Sequence, residues 1–148
     1  MTKEKKQKLI KVLYSDLLNT ENHLLVRWDS EDYNIIAIGC GRVSLVKPLM
    51  SGTNGSPQIE EVKPYLRPLS DMTEEEGEEL GKKYNFNINS DSISIKYHSD
   101  GCWDDDCQPG FEDYRWLETW LIIHKFDYLG LIKDGLALVA KKGMYKFN

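Results

Sequence analysis

The chain has 148 residues, of which 41% are hydrophobic and 29% are charged, and its formal net charge is −5. This composition excludes global disorder, and the acidic balance argues against broad binding to a nucleic-acid backbone, which needs clustered cations. One domain over residues 1–148 is therefore predicted, within which residues 1–63 and 64–148 could form subdomains.

An amphipathic helix is predicted at the start of the chain, ending near Asn19 and Thr20. Its apolar residues recur at helical spacing: Leu9, Ile10, Leu13, Leu17 and Leu18. Five lysines and one glutamate among the first eleven residues indicate a solvated face or, alternatively, a docking surface for an acidic partner. No continuous apolar stretch resembles a signal peptide or reaches the ~20 residues of a membrane span. We therefore expect a cytoplasmic protein without a membrane segment.

Strand patterns follow this helix. Runs rich in Ile, Val and Leu, separated by turn residues, predict strands at 24–28, 33–39, 42–47 and 58–63. The sequence Gly39-Cys40-Gly41 predicts a tight turn, because its two glycines can adopt positive φ. We expect these strands to form a small twisted antiparallel sheet, or a partial barrel, against the first helix.

An extended connector is predicted at 62–70, because Pro64 and Pro68 remove backbone donors and favour extended geometry in the residues before them. Thr73, followed three residues later by Glu76, has the pattern of a capping box. The sequence therefore predicts a short helix from Thr73 onward, mostly exposed because it contains a single large apolar residue.

The remaining elements are a half-buried strand at 92–97, a helix at about 111–126 with Ile122 pointing outward, and a final strand at 136–140. The sequence thus predicts an α+β fold of about five or six short antiparallel strands packed against two amphipathic helices, with a third helix exposed. The predicted core consists of Leu13, Leu17, Ile36, Ile38, Ile93, Ile95, Trp116, Leu117, Trp120, Leu121 and Ile123.

The densest polar cluster lies between His98 and Asp113, where six acidic residues occur without a lysine or arginine. Its weak candidates for metal ligands are His98, Cys102, Asp104, Asp106 and Cys107. Their spacing matches neither a zinc site, which needs four ligands, nor a calcium loop, which needs a glycine at its sixth position. We therefore expect a solvated acidic loop that holds no metal or cofactor.

Trp103 lies within this acidic loop, where a large apolar side chain has few ways to become buried. An exposed aromatic side chain among acids can anchor a protein partner. The candidate partner-binding residues are therefore Trp103, Asp104, Asp105 and Asp106, with a ring folded back onto the protein as the alternative.

No catalytic signature stands out elsewhere. The cysteines and histidines show no local pattern of a nucleophile and its base, and Gly39-Cys40-Gly41 lacks the third glycine of a dinucleotide-binding turn. His124 lies on the apolar half of its predicted helix, which favours a packed core histidine. A non-catalytic protein is favoured over an enzyme.

Two segments resemble a known family. Residues 63–76 read KPYLRPLSDMTEEE, and residues 124–138 read HKFDYLGLIKDGLAL. Both resemble a family of uncharacterised proteins encoded by phages and prophages of gut Bacteroidales bacteria, with KPYLRPLSSMTEEE-like and HxFDYRGLIxKGLA-like segments. Asp71, Leu129 and Asp134 replace the usual Ser, Arg and Lys, so a binding role of that Arg would be lost here. The resemblance implies a mobile-element protein in the cytoplasm of a bacterial host, and it implies no particular activity.

Three functions follow as expectations. The first is a non-catalytic phage accessory protein that inhibits or regulates a host or phage protein by binding it, since complementary charge accelerates association. The second is a small hydrolase or metal-dependent enzyme that uses the acidic loop at His98–Asp106. The third is a sponge-like protein that binds a small ligand.

Overall fold

The structure, a computed structural model, describes residues 1–19, 23–48, 52–89, 92–98 and 109–146, with only the backbone described at Asn19, Tyr97 and His98. Its helices are α1 (Lys3–Asn19), α2 (Glu74–Gly81) and α3 (Phe111–Ile123). Its strands are β1 (Leu25–Trp28), β2 (Glu31–Gly39), β3 (Arg42–Val46), β4 (Lys63–Leu66), β5 (Tyr84–Asn89), β6 (Ser92–His98) and β7 (Leu138–Val139). Within these described ranges, no helix combines the length and apolar character needed to cross a bilayer.

Five of the strands form one sheet in the order β3-β2-β1-β4-β7. Neighbours from β3 to β4 are antiparallel, whereas β4 and β7 are parallel. β5 and β6 form a separate antiparallel hairpin. The predicted α+β fold, with a small sheet, two amphipathic helices and a short third helix, is confirmed, whereas the parallel β4–β7 pair and the separate hairpin differ from the single antiparallel sheet expected.

Two tight hairpin turns connect β1 to β2 and β2 to β3. The turn residues Asp29 and Ser30 have φ of 49° and 68°, and Cys40 and Gly41 have φ of 53° and 74°. Two consecutive residues with positive φ match the right-handed twist of the flanking strands. The tight turn predicted at Gly39-Cys40-Gly41 is present, with Cys40 and Gly41 as its two turn residues and Gly39 as the last residue of β2.

The predicted strand at 58–63 is wrong. Ile59–Glu61 forms a 3-10 helix, in which the Gln58 backbone N–H donates to the Glu61 carboxylate at 2.7 Å. This local side-chain bond competes with strand pairing, and regular pairing starts only with β4.

The predicted connector at 62–70 is extended, but its first half is a strand inside the sheet. Pro64 pairs with Val26 of β1, while β7 pairs only with Tyr65 and Leu66. Leu66 accepts a hydrogen bond from the Ala140 N–H, so the backbone polar groups of Leu66 point toward β7. The backbone nitrogen of Pro64, two residues earlier, points to the same edge of β4, at a position where β7 has no paired residue. The missing proline donor is therefore not needed, which reconciles Pro64 with a strand between two others.

The apolar residues form two clusters. One combines α1 with the five-stranded sheet and includes Leu9, Leu13, Ile35, Leu45 and Leu131, and the other combines α2, the β5–β6 hairpin and α3. Tyr128 packs against both clusters. Of the predicted core residues, Leu13, Ile95, Leu117, Trp120 and Leu121 are buried, and Leu17, Ile38, Ile93 and Trp116 are half-buried at the cluster edges.

Three predicted orientations are wrong. Ile36 is 46% exposed because it follows the buried Ile35 and so points to the opposite face of β2, whereas the irregularity in register between Ile35 and Ala37 lets Ile38 return to the packed side. Ile123 is 41% exposed, whereas Ile122, predicted to point outward, is only 7% exposed. α3 packs beside α1 as well as on the second cluster, so its apolar surface lies further around the helix than its own pattern indicates.

The third helix and the final strand are both shorter than predicted. α3 stops at Ile123 because Lys125, with φ of 63°, turns the backbone out of the helix before residue 126. The final strand, predicted at 136–140, contains only Leu138 and Val139, because pairing with β4 is limited to two residues.

Gly55 supplies a stability prediction, because it lies against the indole of Trp28. A Cβ atom at Gly55 would lie 2.9 Å from Cη2 of that ring. We expect Gly55→Ala to lower the free energy of unfolding by about 1–3 kcal/mol, because the ring or the backbone must move. Gly77→Ala is the control: no atom lies within 4 Å of a Cβ there, and alanine in α2 should raise the free energy by about 0.5–1 kcal/mol. Urea unfolding measures both, and equal losses would contradict the packing argument.

Candidate functional site

The two segments that carry the family resemblance lie side by side in the fold. β4 of the first segment pairs with β7, which starts at the end of the second. Beyond β4, the Arg67 N–H donates to the Lys125 carbonyl at 2.8 Å, and the Asp127 N–H donates to the Arg67 carbonyl at 2.8 Å. The two segments therefore form one structural unit.

The Arg67 side chain holds this unit together. Its guanidinium donates to both carboxylate oxygens of Glu76, at 2.7 and 2.8 Å, and to the carbonyls of His124 and Asp71, at 3.0 and 3.3 Å. The guanidinium also lies 4.3 Å from the centre of the Phe126 ring. Burial opposes the ionisation of Glu76, but the hydrogen bonds from Arg67 and from the Thr73 backbone hold its pKa below the ordinary value. Arg67 thus joins α2 to the end of α3 through a planar fork that lysine could not replace.

A cleft opens beside Arg67, at the ends of the parallel strands β4 and β7. Its volume is about 490 Å³, and it is lined by Arg67, Asp71, Thr73, Ala140, Lys141, Lys142, Gly143 and Tyr145. We call it the β4–β7 cleft. Lys141 and Lys142 are exposed, and neither pairs with a carboxylate among the described residues.

α2 presents carboxylates on its outer side. The capping box predicted for Thr73 and Glu76 is confirmed, with the Glu76 N–H donating to the Thr73 hydroxyl at 3.2 Å. The inner side is attached to α3, because Glu76 binds Arg67 and Glu79 accepts from the Trp120 indole at 3.3 Å. Glu74, Glu75 and Glu78 are exposed, and we call these three residues the acidic face.

The basic start of the chain is paired within the protein. Lys5 lies 3.9 Å from Asp134, Lys8 lies 3.5 Å from Glu4, and Lys11 lies 2.8 Å from Glu118. Lys6 forms an ion pair with Glu60. Four of the five lysines thus contact carboxylates of this chain, so the idea that α1 docks an acidic partner loses support.

A buried ion pair that the sequence analysis missed connects α1 to the end of α3. Lys125 Nζ donates to Asp16 Oδ1 at 2.6 Å, with side chains 0% and 2% exposed. Asp16 Oδ2 accepts the Leu24 N–H at 2.9 Å and lies 3.5 Å from His23 Nδ1. Burial lowers the pKa of Lys125, and the neighbouring Asp16 carboxylate opposes that effect. The sequence held one indication that Asp16 is buried, namely its position on the apolar side of α1, one turn after Val12 and Leu13.

The residues predicted as sites lie almost entirely outside the described residues. These are Cys102, Trp103, Asp104, Asp105, Asp106 and Cys107, and His98 is described only as the backbone end of β6. Among the residues that are described, no group of three or more His, Cys, Asp or Glu is placed to hold a metal ion. Metal binding and partner binding by the acidic loop stay predictions.

His124 is packed, as its position on the helix predicted. Its Nδ1 donates to the Trp120 carbonyl at 2.8 Å, and its ring stacks on the Trp120 ring with a centroid distance of 4.1 Å.

Comparison of the chain with protein-family models, curated proteins and solved structures finds no match. The resemblance to the phage-encoded family also stays a prediction.

Proposed function

We propose that this is a non-catalytic accessory protein, encoded by a phage or prophage, that regulates another protein by binding its basic surface. The observation that carries the proposal is the acidic face, where three carboxylates point to solvent on a helix whose other side is fixed. The origin in a mobile element rests on the resemblance of residues 63–76 and 124–138.

Two residues of the acidic face, Glu74 and Glu78, contribute no ion pair to the fold among the described residues. Glu74 and Glu78 lie four residues apart on one side of α2, where like charges destabilise a helix by about 0.2–0.5 kcal/mol. Neither carboxylate forms an ion pair with a described residue. Their charges are therefore fully available to a partner.

The acidic face is also held in place before any partner arrives. Arg67 grips Glu76 with two hydrogen bonds, and Leu80 is completely buried in the second cluster. A helix that is already ordered loses little conformational freedom on binding, so more of the interaction energy appears as affinity. Fixed charges of one sign also steer a cationic surface toward contact.

The test is capture of partners from a lysate of a gut Bacteroidales bacterium. The double variant Glu74→Gln/Glu78→Gln removes two charges of the acidic face, and Glu4→Gln/Asp29→Asn removes two exposed charges elsewhere. At about 50 mM salt we expect a protein that the wild type and the control variant retain, and that the acidic-face variant retains at least about threefold less.

Two results would contradict the proposal. One is capture of the same proteins in the same amounts by both double variants. The other is no captured protein at low or moderate salt. Both double variants should unfold within about 1 kcal/mol of the wild type, because all four positions are exposed, so a loss of binding cannot be ascribed to unfolding.

A further inference from the structure

We propose that the β4–β7 cleft is a second binding site, which takes an organic phosphate such as a mononucleotide or a sugar phosphate. The acidic face and this cleft are separate features, since none of the three acidic-face residues lines the cleft. The inference therefore goes beyond the proposed function and does not depend on it.

The location of the cleft suits a ligand. Both strands that end at it run in the same direction, so the chain leaves β4 at Arg67 and leaves β7 at Ala140 on the same side. In open sheets of parallel strands, ligands bind in the crevice outside the carboxyl ends, and the two-residue parallel pair of β4 and β7 presents these ends to the cleft. A volume of about 490 Å³ lies within the range of roughly 300–1,000 Å³ found for small-molecule sites.

One wall of the cleft is cationic and supplies free donors. It is a turn in which the Met144 N–H donates to the Lys141 carbonyl at 3.0 Å and Gly143 adopts φ of 78°. The backbone N–H groups of Lys142 and Gly143 have no acceptor among the described residues. Two ammonium groups together with free backbone donors are the chemistry that binds phosphate oxygens.

The opposite wall is rigid and contributes little net charge. Arg67 is neutralised by Glu76, and its guanidinium is already bound to two carbonyls. Asp71, the only carboxylate lining the cleft, has no cationic partner among the described residues. A carboxylate repels bare phosphate but accepts hydrogen bonds from hydroxyl groups, so the cleft favours a phosphate attached to a hydroxylated body.

Tyr145 provides a fixed surface for that body. Its hydroxyl donates to the Tyr65 carbonyl at 2.8 Å and accepts the Leu25 N–H at 3.1 Å, which holds the ring against the sheet. A ring fixed in this way contributes contact area without losing rotamer freedom when a ligand binds. The cleft thus combines a phosphate-binding turn, a hydroxyl acceptor and an apolar surface.

The test is calorimetric titration of the full chain with four probes: adenosine monophosphate, glucose 6-phosphate, inorganic phosphate and adenosine. The variant Lys141→Gln/Lys142→Gln removes the cationic wall. The control Lys3→Gln/Lys96→Gln removes two exposed lysines that do not line the cleft.

We expect one of the organic phosphates to bind more tightly than inorganic phosphate and adenosine, and the identity of that probe distinguishes a nucleotide site from a sugar-phosphate site. Its dissociation constant should rise at least about tenfold in the cleft variant and stay within about twofold in the control. The proposal is wrong if neither organic phosphate binds more tightly than both inorganic phosphate and adenosine, or if the cleft variant and the control variant bind the best probe with equal affinity.

Discussion

Asp16→Asn is expected to lower the free energy of unfolding by about 3–5 kcal/mol, because it removes the carboxylate charge that the buried Lys125 ammonium contacts. Both side chains are almost completely excluded from solvent, and Lys125 Nζ lies 2.6 Å from Asp16 Oδ1. The asparagine can still accept the Leu24 N–H, so the loss reports the charge rather than the backbone bond.

The double variant Asp16→Asn/Lys125→Met is the control for this prediction. Removing both charges avoids the uncompensated ammonium, so at least half of the lost free energy should return. Urea unfolding followed by the fluorescence of the four tryptophans measures the wild type, Asp16→Asn, Lys125→Met and the double variant. Additive effects of the two single substitutions would show that Asp16 and Lys125 do not stabilise each other.

The pH dependence of Asp16→Asn gives an independent readout. Burial already lowers the pKa of Lys125, and removing the carboxylate that opposes this effect lowers it further. Between the lowered pKa and the ordinary lysine value, the unfolded chain binds a proton that the folded chain does not, so stability rises with pH. Asp16→Asn should therefore recover stability as the pH rises from the lowered pKa of Lys125 toward the ordinary value of 10.5, whereas Asp16→Asn/Lys125→Met should show no such recovery.

Arg67→Ala is expected to have the second-largest effect, a loss of about 3 kcal/mol. It removes the paired hydrogen bonds to Glu76, the bonds to two carbonyls and the contact with Phe126. Arg67→Lys should still lower the free energy of unfolding by about 1–2 kcal/mol, because an ammonium lacks the planar guanidinium geometry that binds a carboxylate and two carbonyls at once. Lys63→Ala replaces an exposed cation of β4 and should change stability by less than about 0.5 kcal/mol.

Acid titration checks the partner of Arg67. The folded-state pKa of Glu76 lies below its ordinary value of 4.5, so the pair contributes stability above that pH and loses it as the pH falls through the lowered pKa. Glu76→Gln should remove this component of acid sensitivity. An unchanged acid response in Glu76→Gln, or an equal loss of stability in Arg67→Lys and Lys63→Ala, would contradict the role assigned to Arg67.

Local patterns predicted the elements whose causes are local. The capping box at Thr73 and the hairpins around Asp29 and Cys40 depend on residues within four positions of each other, and the structure has them close to where the sequence places them. The pairing of β4 with β7 depends on a partner more than seventy residues away in the chain. The burial of Ile122 depends on the packing of α3 beside α1. No periodicity within one segment carries that information.

The candidate site was predictable to a smaller extent for the same reason. Arg67 and the Lys141–Gly143 turn lie far apart in sequence, and only the parallel pair β4–β7 brings them to one cleft. The acidic face, by contrast, was visible as a run of glutamates, although its pattern did not show that Glu76 and Glu79 turn inward to Arg67 and Trp120.

The most direct test of the proposed function is the rate at which a captured partner associates with the protein, measured at rising salt concentrations. The wild-type rate should fall steeply with salt, because complementary charges accelerate encounter and salt screens them. Glu74→Gln/Glu78→Gln should associate about three- to tenfold more slowly at about 50 mM salt, and the two rates should converge at high salt. Equal rates for the two proteins at low salt would contradict a function based on the acidic face.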